Sequence, residues 1–402
     1  MTISLLSAEF LSFSFIAVVL IVVLRGLTRQ VAFLAANLGF VWMLLGTEGT
    51  LSTAGFCVIG YVLVWAHVRW PRLRLLYTLP LLLALFAYMR NYEFLQWVLP
   101  DQILTNFLRT VGLSFILFRM IHVIVDARSR TLGPIDFLTY MNYCLSFTTL
   151  MMGPIQRYRD FSDQWHGHRQ AIDLTFEAHF DAVLRILLGL VKAHILAPWV
   201  ESFALAANTN VLDLSPVGWI VGLYGFYFFL YLSFSGYCDV VIGLGSLFGV
   251  RPPENFNMPF VAQNISDFWL RQHRSLTLWL TDYVFSPAYK AMLSGRTLSD
   301  RPLLAGALAL LLTMLVSGLW HGTTIGFLLF GLAHGLFLMI YHVWDHLLVG
   351  RLGRKRVAAL RRAWPARAAG TFLTFNAAAF AFLFFRLDTP HLFLLFEALF
   401  GV

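Results

Sequence analysis

Apolar runs recur along the whole chain at lengths near the roughly 17–25 residues that cross a bilayer as an α-helix. The strongest occupy 10–24, 31–46, 54–68, 75–89, 103–125, 137–153, 217–233, 303–321, 324–348 and 371–386. Weaker runs lie at 182–200, 236–250 and 391–402. No internal repeat, low-complexity linker or soluble domain interrupts the series. The pattern therefore predicts an all-α polytopic membrane protein of about 10–13 transmembrane helices, with residues 1–402 forming a single membrane domain.

Polar positions between the runs set the expected topology. Arg351 to Arg367 contains seven basic residues and no acid, which places it on the cytoplasmic side by the positive-inside rule. Arg25–Arg29, Arg69–Arg74 and Arg128–Arg130 read the same way, and counting back puts the N-terminus outside. The alternation fails after 137–153, because Gly153-Pro154-Ile155-Gln156-Arg157-Tyr158-Arg159 is basic again. A segment that enters and leaves on one side repairs the count. Irregular backbone at membrane depth survives only inside protein or beside a wet cavity, so 137–165 is expected to form a cavity wall. Met1–Phe10 has no Lys or Arg, and no small-residue cleavage site follows the first run, so that span is expected to persist in the mature protein.

Composition strengthens the membrane reading. Of 402 residues, 59% are hydrophobic and 12% charged, against about 25% charged in soluble domains. Mean hydropathy is +0.72. The net charge of +8 lies mostly in the short gaps between spans, where it meets anionic headgroups rather than nucleic acid. Cys57, Cys144 and Cys238 are scattered, with no CxxC, and indicate neither a disulfide frame nor a zinc site.

The candidate chemistry concentrates between residues 230 and 338. Ser233-Phe234-Ser235-Gly236-Tyr237-Cys238-Asp239 puts an acid inside an apolar stretch, a costly placement that points to function or to a structural pair with an Arg. Gly243-Leu244-Gly245 follows without a nucleotide-binding spacing and is better explained by close helix packing. After Arg251-Pro252-Pro253-Glu254-Asn255-Phe256-Asn257-Met258-Pro259, which cannot be helix interior, comes a stretch from Asp267 to Leu280. At 100° per residue Trp269, His273, Leu276 and Leu280 share one face, opposite Asp267, Arg271, Arg274 and Ser275. The spacing predicts one continuous amphipathic helix at the cytoplasmic interface.

Further on, Val316-Ser317-Gly318-Leu319-Trp320-His321-Gly322 closes an apolar span. Histidine is the usual general base near neutral pH, and Ser317 lies one turn before it on the same face. A histidine that merely ends a helix at the interface fits as well. His334, 13 residues on, would stand roughly 20 Å away on one continuous helix. His342, Asp345 and His346 have helical ligand spacing but no further ligand nearby, which favours an interfacial helix end over a metal site. HExxH, P-loop and GxSxG motifs are absent from the sequence, leaving zinc protease, ATPase and serine hydrolase readings without support.

The ordered set Phe-Ser-Gly-Tyr-x-Asp, Pro-Glu-Asn-Phe-Asn-x-Pro, Phe-Trp-x-Arg-x-His-x-Ser-Leu and Leu-Trp-His-Gly resembles the membrane-bound O-acyltransferase (MBOAT) family. The resemblance is strongest to the bacterial branch of alginate O-acetyltransferase subunits and teichoic acid D-alanyl transfer proteins. Val111–Phe115, Phe118-Arg119, Asp126, Gly153–Arg157 and Phe384-Phe385-Arg386 extend it over about residues 30–402. Gln272 stands where the family often has Trp, and Ser286-Pro287-Ala288-Tyr289-Lys290 replaces a Leu-Gly-Gly.

The resemblance implies a ring of helices with re-entrant and amphipathic elements around a central funnel. It also implies that His321 and His273 are the catalytic pair. Asp239, Asn255, Trp269, Arg271, Arg274, Ser317 and Trp320 are the expected substrate-binding set. The implied reaction moves an acyl group, acetyl first, from a thioester donor (acetyl-CoA or acyl carrier protein) to a glycan or lipid-linked polysaccharide. A soluble acyl carrier or a periplasmic acetyltransferase is the implied partner, beside membrane lipids. No tightly bound cofactor, metal or nucleic acid is implied, and the site is the bacterial inner membrane. D-alanyl transfer to teichoic acid, and a non-catalytic transporter or scaffold, stand as alternatives.

Overall fold

The computed structural model describes residues 6–70, 72–90, 112–129, 132–167, 175–206, 209–210, 213–322 and 324–400. Every regular element among them is helical. Among the described residues, six helices are long and apolar enough to cross a membrane, and Ala8–Val23 and Leu75–Met89 are shorter apolar ones. Several of the apolar runs fuse into longer helices, and one is not a spanning helix. The N-terminal part of the run 103–125 lies outside the described residues.

The chain divides into two compact units, Met1–Val191 with Gly236–Pro253, and Lys192–Ser235 with Glu254–Val402. In the first, α1 (Ala8–Val23) is capped by the Ser7 hydroxyl, which accepts from Phe10 N–H. The runs 31–46 and 54–68 then merge into α2 (Gly26–Arg69), kinked at Gly46 with φ 68°, a conformation that only glycine takes at no steric cost. Next come α3 (Leu75–Arg90) and α4 (Leu113–Arg128).

The run 137–153 is not a span. It forms the nine-residue α5 (Phe137–Leu145) and then a largely buried irregular stretch up to α6 (Tyr158–Gly167). The fully buried Arg119 makes that stretch possible. Its guanidinium donates to the carbonyls of Tyr143 and Cys144 at 2.8 Å each and to Thr149 Oγ1 at 2.5 Å. It thus satisfies the orphan carbonyls at the end of α5 with a positive charge where the helix dipole favours one. His122 Nε2 accepts from Tyr158 N–H at 3.1 Å and fixes the other end of the stretch.

After α7 (Phe176–Val191), a π-helical turn Lys192–Leu196 leads into α8 (Ala197–Glu201), and Phe176–Glu201 together is one candidate span. The runs 217–233 and 236–250 form one 32-residue helix, α9 (Pro216–Leu247). Ser235 and Gly236 do not break it, because a glycine inside a helix costs only about 1 kcal/mol.

The second unit holds the motif-rich region. The stretch predicted as one amphipathic helix is broken into α10 (Ile265–Arg271) and α11 (Arg274–Leu280), followed by a π-turn Thr281–Phe285 and α12 (Ser286–Ser294). Two long helices follow, α13 (Pro302–His321) and α14 (Ile325–Leu352). They pack antiparallel, backbone on backbone: a Cβ on Gly318 would lie 3.1 Å from Gly331 Cα. Small residues at such crossings let helices approach closely in a membrane. The basic segment forms α15 (Arg354–Arg362), where Arg361 pairs with Asp345. Helices α16 (Trp364–Arg386) and α17 (Thr389–Phe400) complete the unit. Its core is aromatic, with Tyr227 and Phe330 both packed on Phe382 at ring separations of 5.3 and 5.5 Å.

Candidate active site

Two breaks in helices create the site. The first lies between α10 and α11, where His273 adopts φ 46°, ψ 49°. A left-handed histidine costs about 1–3 kcal/mol and persists only where its surroundings over-determine it. Its ring is 5% exposed and meets Phe234 edge-on at 4.8 Å. Its Nδ1 has no hydrogen-bond partner. Burial pushes the ring down to about 3, so it is neutral, with one donor and one acceptor nitrogen. The expected shared face with Leu276 and Leu280 does not exist, because the helix on which it was drawn ends at Arg271.

The second break ends α13 at His321. Gly322 turns to extended backbone (φ −178°, ψ −177°), and the Phe327 ring occupies the space a Cβ there would fill. His321 is half-buried, stacked near Phe327 and edge-on to Phe330 and Phe385 at 5.5 and 5.1 Å. Phe385 comes from the late Phe-Phe-Arg element, whose Arg386 donates to the Leu205 carbonyl at 2.6 Å.

Trp320 joins the two breaks. Its indole lies 5.9 Å from the His273 ring and 4.5 Å from the His321 ring, so both histidines contact one side chain. Ser317, one turn before His321, is fully buried, and its Oγ is unpartnered. The Trp269 Nε1 and Gln272 Oε1 are also buried without a partner. Most buried polar groups in proteins are hydrogen-bonded, so these atoms are available to a bound molecule or to water. A cavity of about 190 Å³ opens beside Trp269, walled in part by Thr277, Thr313, Met314 and Leu338.

His334 was not among the expected site residues. Reversal of the chain after His321 brings it back, and both histidines contact Phe330, His334 at 4.7 Å. It is fully buried, stacked on Phe268 at 5.8 Å, and both its ring nitrogens lack partners. The sequence signal for it was a lone histidine in an apolar run, whose meaning depended on where the preceding helix stopped.

The other expected residues are held by hydrogen bonds and ion pairs of their own. Asp239, in the first unit, pairs with Arg185 at 2.9 Å. Arg271 pairs with Asp267 at 2.7 Å and donates to the Asn257 carbonyl at 3.2 Å. Arg274 is half-buried at the start of α11. Asn255 is buried, and its Oδ1 accepts from Ser275 N–H and Oγ–H at 3.2 and 2.8 Å.

An all-helical, membrane-crossing chain with two histidines sharing one tryptophan defines a class rather than a single protein. A family model described as MBOAT, membrane-bound O-acyltransferase family, matches residues 75–350, and the chain belongs to that family. It is therefore a multi-pass membrane protein, of a family whose acyltransferase members use an acyl donor as co-substrate.

Its similar relatives differ in acceptor. One is the probable alginate O-acetylase AlgI of Pseudomonas fluorescens, 34% identical over 59% of this chain and 46% of the relative. Another is the teichoic acid D-alanyltransferase of Bacillus subtilis, 28% identical over 76% of this chain and 74% of the relative. A third is the peptidoglycan O-acetyltransferase of Helicobacter pylori, 26% identical over 86% of this chain and 62% of the relative. The chain spans about half the length of the alginate relatives it matches.

Proposed function

We propose that this chain is an O-acyltransferase that moves an acetyl group from a cytoplasmic thioester, acetyl-CoA or an acyl carrier protein, to a hydroxyl of a cell-envelope polysaccharide. The carrying observation is the contact of both His273 and His321 with Trp320 inside a cluster of unpartnered buried polar groups. In the reaction, a ring nitrogen of His321 takes the acceptor's hydroxyl proton as its oxygen attacks the thioester carbonyl. The carbon–sulfur bond then breaks, and the proton passes to the leaving thiolate. The neutral His273 donates a hydrogen bond to the developing oxyanion, with no positive charge of its own to desolvate. Trp320, Trp269 and Ser317 wall the reacting groups. Arg271 and Arg274 contribute to the approach used by the donor.

In this reading residues 1–402 work as one membrane domain. It sits in the bacterial inner membrane with the N-terminus outside and the basic 351–367 segment inside. The partners are a glycan acceptor, anionic lipids, and a soluble acyl carrier or periplasmic acetyltransferase.

D-alanyl transfer to teichoic acid is the second reading, favoured by the near-equal coverage of this chain and the D-alanyltransferase relative. Mass spectrometry of surface polysaccharide from cells with and without the protein separates the two, because acetyl and D-alanyl esters differ in mass. Acetyl esters that vanish with the protein are expected. Ester content that does not change contradicts both readings.

A further inference from the structure

The N-terminus of α11 is capped in an unusual way. The cap position of a helix normally holds Ser, Thr, Asp or Asn, whose own side chain accepts from the first free backbone N–H groups. Here the cap position is His273, and its side chain makes no capping bond. The acceptors come instead from 18 residues upstream. Asn255 accepts the Arg274 N–H through its backbone carbonyl at 2.9 Å and the Ser275 N–H through Oδ1 at 3.2 Å. The same oxygen takes the Ser275 hydroxyl at 2.8 Å.

The neighbouring residues hold the other side of the break. Asn257 N–H donates to the Arg271 carbonyl at 2.9 Å, and the Arg271 guanidinium returns a bond to the Asn257 carbonyl at 3.2 Å. The last residue of α10 and the first two of α11 are thus tied to one extended strip of chain. Phe256, on that strip, packs edge-on against Phe234 at 5.0 Å, and Phe234 packs against the His273 ring at 4.8 Å.

We infer that Asn255 is a positioning residue that acts through His273: it caps α11 in place of the residue at the cap position and so releases the imidazole to face the Trp320 cluster. With the cap supplied from outside, the left-handed backbone at His273 is held from both flanks, and the ring points away from the helix end. The conclusion rests on the proposed role of His273 in acyl transfer. It gives Asn255 work different from the substrate contact expected from its motif.

The test is a double-mutant cycle on full-length protein in detergent or vesicles, with acyl transfer to polysaccharide followed at matched protein level and melting temperature. Asn255→Ala is expected to lower kcat about 10- to 100-fold, the scale of a small misplacement of a reacting group, with KM for both substrates unchanged. Asn255→Asp keeps the acceptor oxygen and is expected to restore most of kcat. Ser275→Ala removes one of the two side-chain bonds and is expected to give a smaller loss, which keeps the idea testable should Asn255→Ala fail to accumulate. In a His273→Ala background, Asn255→Ala and Ser275→Ala are expected to add almost nothing, because both act through the absent ring. A loss that multiplies fully with His273→Ala, or an Asn255→Ala enzyme with wild-type kcat, overturns the positioning role. A fully active His273→Ala enzyme instead overturns the role of His273 on which it rests.

Discussion

Replacing His321 with alanine is expected to lower acyl transfer by about 10²- to 10⁴-fold, the range lost when a positioned general base is removed. The protein itself is expected to accumulate at wild-type level. His321 is the last residue of α13, where its ring is half-buried and the backbone already leaves the helix through Gly322. Removing it opens space among Phe327, Phe330 and Phe385, but those rings remain in contact with one another at 4.9 to 5.4 Å. Turnover of a thioester donor by purified variant and wild type, at equal protein and equal melting temperature, checks this. Trp320→Phe, which preserves a ring between the two histidines, is the accompanying control for packing alone.

The second large effect concerns the hairpin that carries His321. Gly331→Leu is expected to collapse both the yield of folded protein and its activity. A Cβ at Gly331 falls on the Met314 carbonyl oxygen and lies 3.1 Å from Gly318 Cα. Its neighbours are backbone atoms of α13, so no side chain can swing aside, and the helices must part. Overpacking commonly costs about 1–3 kcal/mol even where side chains adjust, and here the adjustment would carry His321 away from Trp320 and Phe385. Gly350→Leu, on the same helix with open space around it, is expected to behave like wild type. Melting in detergent together with transfer activity distinguishes the two. A Gly331→Leu protein with normal stability would mean that the backbone contact between α13 and α14 is dispensable.

These expectations draw unequally on sequence and structure. The membrane class was readable because apolar runs of bilayer length leave little choice, whereas His321 stood out only through the family resemblance, its position alone fitting a helix end at the interface equally well. The break at His273 was not readable. Periodicity runs straight through Gln272-His273 with no Gly or Pro to mark a stop, and the cause lies upstream, in Asn255 and Asn257 bonded to both helix ends. His334 was set aside for a related reason: a continuous helix would have kept it far from His321, whereas the turn at Gly322 brings both onto Phe330. Gly236 misled in the opposite direction, since local composition suggested an interruption that α9 simply absorbs. The partner of Asp239 could not be read locally either, because Arg185 lies 54 residues away. For His273 and Asp239 the deciding interaction joins residues far apart in the chain.

The central claim is that the histidine cluster transfers an acyl group rather than conducting or binding a solute. Purified protein in lipid vesicles, supplied with labelled acetyl-CoA or a D-alanyl carrier thioester, tests it with polysaccharide acceptor present or absent. One donor is expected to be consumed only when acceptor is present, with the label appearing as a glycan ester, and His321→Ala is expected to abolish both. Label that crosses the vesicle wall without ester formation, or ester formation that survives His321→Ala, would contradict it.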